Sequence, residues 1–319
     1  MDRLSGLHTF VRVVELGSFS AAARSLELAQ PTVSKQIAAL EADLQVRLLN
    51  RSSRALKMTS DGERLYARAR EILNALDAIE LELHGDETPT GRLRIACPLT
   101  FGHRQIMPRI GAFVARYPKV ELDFLLSDGM VDPVEEGVDL SIRVGALRDS
   151  ALVAKAIGAS RLWLVASADY VVRHGTPTSI AALAEHPCIV YAGFARSPDW
   201  RFEGPDGPES VRARNAITVD SAIAMRFPVI DGLGVALAPS WLFSTEVEAG
   251  SVVRLLEQYT RPPMPIHALY TSRQLLPPRA RAFMDFLAEE LANDPHLHPV
   301  SMASAHLEQS PDAGEVAKP

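Results

Sequence analysis

From Leu4 to Leu16 the apolar residues Leu4, Leu7, Phe10, Val11 and Val14 recur at helical spacing, which predicts an amphipathic helix ending near Gly17. Ser18 or Ser20 can cap a second, short helix running through Ala21, Ala22 and Ala23 to Leu26. A tight connection, Glu27-Leu28-Ala29-Gln30, leads to Pro31, whose missing N–H is tolerated at a first helical position. Beyond it Val33, Ile37, Leu40 and Leu44 form one stripe on a third helix, so three small helices are expected to pack together. Arg47-Leu48-Leu49 and Ala55-Leu56-Lys57-Met58 read as strands around Asn50-Arg51-Ser52-Ser53-Arg54, a hairpin with a basic tip. Residues 1–59 are therefore read as a winged helix-turn-helix.

The next apolar residues, Leu65, Ala69, Ile72, Leu76, Ile79 and Leu83, step by 4, 3, 4, 3 and 4. So narrow a seam calls for a partner helix. Arg64, Arg68, Arg70, Glu71, Asp77, Glu80 and Glu82 charge the remaining faces, which favours a dimerisation helix over 60–84 rather than one packed on its own domain. Gly85, Pro89 and Gly91 break this helix and make 85–91 a hinge.

From Leu93 onward the pattern changes. Strand-like runs at Leu93–Ala96, Val120–Leu126, Leu140–Val144, Leu162–Ala166, Cys188–Tyr191 and Val235–Ala238 alternate with helical ones at Phe101–Arg116, Val131–Glu136, Ile180–Ala184, Ala222–Phe227 and Pro278–Ala292. Such alternation predicts parallel strands with crossover helices, and the fold class is α/β. Residues 92–292 are read as one α/β domain. Residues 293–319, rich in Pro, Ser, Ala and acids, are read as a disordered tail.

Composition changes this picture little, and local charge changes it more. Two cysteines, Cys97 and Cys188, are too few for a disulfide framework. No stretch reaches the ~18 uncharged apolar residues a membrane span needs, so a cytoplasmic protein is expected. The net charge is −6, yet residues 1–58 carry eight Lys/Arg against five acids, and Arg47 to Lys57 holds four basic residues and no acid. That run is a candidate footprint for nucleic acid. No nucleophile elbow, paired metal-ligand motif or phosphate-binding loop appears, which argues against an enzyme. No cofactor is expected, and no metal, since His296, His298 and His306 lie in the tail without a second set of ligands.

The segments Phe19-Ser20-Ala21-Ala22-Ala23-Arg24-Ser25-Leu26, Gln30-Pro31-Thr32-Val33-Ser34-Lys35-Gln36-Ile37, Leu40-Glu41, Leu48-Leu49-Asn50-Arg51 and Thr59-Ser60-Asp61-Gly62 together resemble the N-terminal signature of LysR-type transcriptional regulators. The resemblance covers about residues 1 to 290. It implies sequence-specific DNA binding, an effector-binding domain over 92–292 with the fold of periplasmic binding proteins (lobe I at about 92–161 and 268–292, lobe II at about 162–267), and a small-molecule effector between the two lobes. Glu27 stands where the family often has glycine, and Ala29 where a capping serine is common.

A recognition helix presents its N-terminal turn to base edges in the major groove. Gln30 or Ser34 can hydrogen-bond a base edge, Pro31 and Thr32 can touch a thymine methyl, and Lys35 can meet phosphate. Arg51 and Arg54 at the wing can bind phosphate or enter a narrow minor groove, and Ser20 can add a positioning contact. In the effector domain, strand ends that meet helix N-termini attract polar ligands. Pro98, Leu99 and Thr100, then Ser127 and Asp128, then Arg143 and Gly145, and finally Asp220 and Ser221 are expected to converge on the cleft, with Thr100 the leading contact. Arg143 could pair with a ligand carboxylate or form a salt bridge to Asp128 or Glu135. Cys97 beside the site permits a redox role, although a lone buried thiol is more often an inert small hydrophobe. The expected partners are double-stranded DNA, an effector of unknown identity and further copies of the chain, with RNA polymerase an additional candidate.

Overall fold

The structure is a computed structural model that describes residues 3–51, 56–84, 89–129, 133, 136–147, 152–192, 199–271 and 276–298. Three helices, α1 (Arg3–Leu16), α2 (Phe19–Ser25) and α3 (Gln30–Leu44), open the chain. They bury Phe10, Val13, Ala22, Ala23, Val33, Ile37 and Leu40 in one core. Leu4 and Leu44, expected in the apolar stripes, are instead exposed. Gly17, in the left-handed region at φ 60°, ends α1 where the sequence predicts. The cap of α2 is Ser18, whose Oγ accepts from the Ala21 N–H at 3.3 Å, so Ser20 lies inside that helix. Helix α3 begins at Gln30, and Ala29 caps it without a side-chain hydrogen bond.

The wing strands are β1 (Leu49–Arg51) and β2 (Leu56–Met58), antiparallel with Asn50 opposite Lys57. The first strand thus starts two residues later than expected from Arg47. Glu41 explains the shift, because its carboxylate accepts from the Leu48 and Leu49 N–H groups at 2.8 and 3.2 Å and holds that stretch against α3. Residues 52–55, including Arg54, lie outside the described residues.

Helix α4 (Ser60–His84) follows. Thr59 caps it, accepting from the Gly62 N–H at 3.0 Å while donating to the Arg47 carbonyl at 2.6 Å. A side chain at position 62 would collide with the Leu48 carbonyl, so only glycine lets α4 approach the wing this closely. The expected dimer seam divides. Leu65 packs on the helix-turn-helix core and Ala69 is fully buried within its own chain, whereas Ile72 and Ile79 are exposed. Ala69 therefore faces inward, a correction to its assignment at a dimer surface, and the side chain of Leu83 lies outside the described residues, as do residues 85–88 of the hinge.

The remaining chain forms two sheets. Strand β3 (Gly91–Cys97) leads into one helical run, α5 (Leu99–Phe101), a π-turn at Gly102–Ile106, a 3-10 turn at Met107–Arg109 and α6 (Ile110–Arg116). Strands β4 (Val120–Leu126), β5 (Leu140–Val144) and β6 (Val153–Ser160) complete the first passage, and the helical piece expected near Val131 lies largely outside the described residues. The chain then crosses over to β7 (Leu162–Ser167), α7 (Ala168–His174), β8 (Pro187–Tyr191), a hairpin of β9 (Asp199–Gly204) and β10 (Gly207–Arg212), β11 (Arg214–Val219) and α8 (Ala222–Ile230). It continues through β12 (Val235–Pro239), α9 (Ser240–Glu248) and β13 (Val252–Leu255), and returns as β14 (Met264–Tyr270), α10 (Pro278–Ala292) and β15 (Leu297–His298).

Lobe I is the sheet β15-β6-β14-β5-β3-β4, and lobe II the sheet β11-β8-β12-β7-β13. Around β3 and β8 the strands are parallel, but β14 runs antiparallel to β5 and β6, and β7 antiparallel to β12 and β13. The sheets are mixed because the chain changes lobe twice. The return precedes Met264 rather than falling at 268, and β15 carries lobe I beyond 292 into the expected tail. His296 and His298 are accordingly ordered. His296 reaches Glu248 at 2.9 Å, and its carbonyl accepts from the Ser240 hydroxyl.

Candidate nucleic-acid interface and effector cleft

Helix α3 turns Val33 and Ile37 into the core, which leaves Gln30, Pro31, Thr32 and Lys35 exposed on the opposite side and Ser34 at the margin, half-buried. Ser20 on α2 is exposed as well. The backbone of Arg51 ends β1, paired with Leu56, and its side chain lies outside the described residues. Glu27 takes φ 54° in the turn, the conformation a glycine would adopt with less strain.

In the effector domain three of the four expected segments meet across the lobes. The Asp128 carboxylate accepts from the Leu99 N–H at 3.0 Å and, with its other oxygen, from the Ser221 hydroxyl at 3.0 Å. Thr100, buried to 2% exposure, accepts through Oγ1 from the Ile223 N–H at 3.1 Å. A helix leaves its first N–H groups without internal partners, and here each lobe supplies an acceptor or donor at such an end. Pro98 caps α5, its carbonyl accepting from Gly102 N–H at 2.8 Å, and Ser127 ties its N–H to the Cys97 carbonyl at 3.1 Å.

The fourth segment behaves differently. Gly145, at φ 102°, donates its N–H to the Pro265 carbonyl at 2.8 Å, so its backbone donor serves the junction with β14 rather than a ligand. Arg143 pairs in register with His267 on β14, and burial pushes its guanidinium pKa down against the opposing influence of Cys97. Glu135 lies outside the described residues. Burial pushes the Cys97 thiol up to about 12, with Arg143 opposing, so the thiol stays protonated and weakly nucleophilic.

Residues that the sequence did not single out also join the lobes. Burial pushes the Tyr191 phenol up, and the negative charges of Asp128 and Asp220 add to the effect. The Phe101 ring meets Trp241 edge-on at 5.4 Å between centroids. Arg104 reaches the Leu242 carbonyl at 3.5 Å, beside the Arg226–Glu246 ion pair. A helix N-terminus opposite a strand end in the sequence signals Ser221, whereas a tyrosine at the end of an apolar strand reads as core.

A family model described as "Bacterial regulatory helix-turn-helix protein, lysR family" matches residues 4–63, and one described as "LysR substrate binding domain" matches 86–292. The chain belongs to the LysR family of transcriptional regulators. This LysR-type regulator is 34% identical over 290 residues to the transcriptional regulator CrgA of Neisseria meningitidis, covering 90% of this chain and 97% of that protein. It is 35% identical over 297 residues to PtxR of Pseudomonas aeruginosa, covering 92% and 94%. The solved structure of CrgA has a TM-score of 0.59 at 33% identity, over 91% of this chain and 99% of that one. A full-length OxyR variant from Pseudomonas aeruginosa shares the fold, with a TM-score of 0.68 at 20% identity over 94% and 97%. No described helix of the LysR-type regulator is long and apolar enough to cross a membrane.

Proposed function

We propose that this regulator acts in the cytoplasm as a dimer, or a dimer of dimers, paired along α4, and reads a pseudo-palindromic operator without catalysing a reaction. The exposed first turn of α3 carries the reading. Its Gln30, Pro31, Thr32 and Ser34 stand over a packed core that fixes their direction, with Lys35 and Ser20 beside them for phosphate. Arg51 and Arg54, assigned to the wing from the sequence, are the proposed contacts to the phosphate backbone or minor groove. Two-fold pairing of the protein demands two-fold half-sites in the DNA.

The effector half of the proposal rests on the bridge from Asp128 to Leu99 and Ser221 and on the Thr100–Ile223 hydrogen bond. A small molecule entering there competes with these bonds, and it alters DNA binding only to the extent that it binds the open and closed arrangements with different affinity. RNA polymerase is a further partner of the assembled complex.

The experiment is binding of the purified protein to DNA from upstream of its own gene, with Ser34→Ala and Arg51→Ala in parallel at two salt concentrations. Selective wild-type binding, relaxed by Ser34→Ala and weakened uniformly by Arg51→Ala, supports the assignment. Failure to prefer any site, there or in a genome-wide selection, refutes it.

A further inference from the structure

Helices α1 and α3 lie antiparallel, and their contacts descend one helix as they climb the other: Arg3 on Asp43 at 2.7 Å, Gly6 against Leu40, and Thr9 on Gln36. The first is a solvated ion pair. The last is of another kind. Thr9 is 2% exposed, and its hydroxyl donates to Gln36 Oε1 at 2.6 Å. A hydroxyl buried so deeply costs stability unless it is bonded, whereas valine has nearly the same shape and no such requirement. The polar pair is therefore not needed to fill that space.

A glutamine amide is planar, with its oxygen and its nitrogen on opposite arms. Oε1 is drawn inward to Thr9, so the Nε2 arm is turned away from the core, and among the described residues it donates to no partner. Gln36 is half-buried, at the margin where the packed face of α3 meets its exposed face, one turn after Thr32 and next to Lys35. A recognition helix sets its first turn on base edges, while the strands that bound the groove run beside its margins. A donor on the margin one turn further along meets the sugar-phosphate backbone. We infer that Gln36 donates through Nε2 to a DNA phosphate, and that buried Thr9, which touches no DNA, is the residue that positions it. The inference rests on α3 being the DNA-reading element.

The contact has a distinct signature. An amide already held by Thr9 loses less freedom on meeting phosphate than a free one, because its rotamer is fixed in advance. It is neutral and displaces no counterion, and phosphate carries no sequence information. Loss of Gln36 therefore lowers affinity for every duplex alike, and leaves the salt slope and the operator preference as they were.

The test titrates the full chain onto the tightest duplex recovered from a genome-wide selection and onto its scrambled counterpart. Two salt concentrations are used, below the lowest melting temperature of the set. Gln36→Leu weakens both duplexes about tenfold, since a dimer loses two hydrogen bonds worth a few-fold each. Thr9→Val weakens both about threefold, and Thr9→Ser, which keeps the hydroxyl, does not. The double variant Thr9→Val with Gln36→Leu matches two apolar groups, so its melting temperature returns toward wild type while its DNA affinity stays at the level of Gln36→Leu. The inference is overturned if Gln36→Leu or the double variant binds as wild type, or if Thr9→Val weakens binding further in the Gln36→Leu background. A preference for the selected duplex that falls together with affinity also overturns it, because that marks a displaced α3. Ser34→Ala in parallel separates the two readings. A reduced preference there beside wild-type binding by Gln36→Leu removes Gln36 alone, whereas no change in either variant removes α3 as the reading element.

Discussion

Asp128 joins the two lobes through a single carboxylate, one oxygen on the first amide of α5 and the other on Ser221. Asp128→Ala removes both acceptors at once, and because these groups are exposed the expected cost is about 1 kcal/mol, in the range of an ordinary rather than a charged hydrogen bond. Denaturant unfolding measures the cost, and faster amide exchange at Leu99 and Ile223 locates it. Glu27 offers the opposite change. A side chain held at φ 54° is strained, so Glu27→Gly is expected to stabilise the DNA-binding unit by about 1 kcal/mol, read as a higher melting temperature. The cysteines respond to alkali. Burial raises Cys97 from 9.0 to about 12 and Cys188 to about 11, so the unfolded chain loses these protons first. Their contribution to stability is intact below pH 9.0 and falls progressively as pH rises from there toward 11 and 12. Neither thiol should react with a disulfide reagent at pH ~8 until the protein is denatured. The polar positions of the cleft were legible in sequence because Asp128 and Ser221 close a strand and open a helix. Tyr191 was not, since burial and a neighbouring carboxylate are properties of the folded pair of lobes and leave no periodic trace.

At the scale of elements, α4 separates pairing from packing. Ile72 and Ile79 are exposed at 47% and 52%, whereas Ala69 is fully buried. Ile72→Glu with Ile79→Glu is expected to lower the mass measured by light scattering while each chain stays folded. Ala69→Leu does the reverse, overpacking a fully buried position at a cost of about 1–3 kcal/mol without removing the outward face. The heptad stepping was visible in the sequence, but a period cannot say which end of a helix packs on its own chain. Arg47 looked like the start of a strand, and Glu41, seven residues before Leu48, holds the amides of Leu48 and Leu49 where the strand actually begins. The β9–β10 hairpin escaped notice although Trp200 and Phe202 alternate with polar neighbours and Gly204-Pro205-Asp206-Gly207 is a turn signal between the runs. Short polar strands outside the main sheets carry too few apolar residues to register beside the continuous runs of β8 and β12.

For the whole molecule, a net charge of −6 coexists with a basic DNA-binding end, so operator affinity should fall steeply as salt rises. Plotted as log affinity against log salt, wild type should show a slope steeper than that of Arg51→Ala by about 1, the loss of one phosphate contact. An unchanged slope removes Arg51 from the phosphate-binding set. The domain order and the α/β class were legible from the alternation of runs and the two lobes from the resemblance, while the mixed strand directions were not, because they depend on where the chain turns back. That turning point has its own consequence. Ser160, the last residue of β6, stands opposite Met264, the first of β14, and these strands are antiparallel neighbours. Lobe II thus leaves and re-enters lobe I at adjoining positions, like a cassette inserted at the tip of a hairpin, and a short turn joining Ser160 to Met264 would close the gap. A module attached in this way can be exchanged for one with a different cleft wall while lobe I keeps its threading.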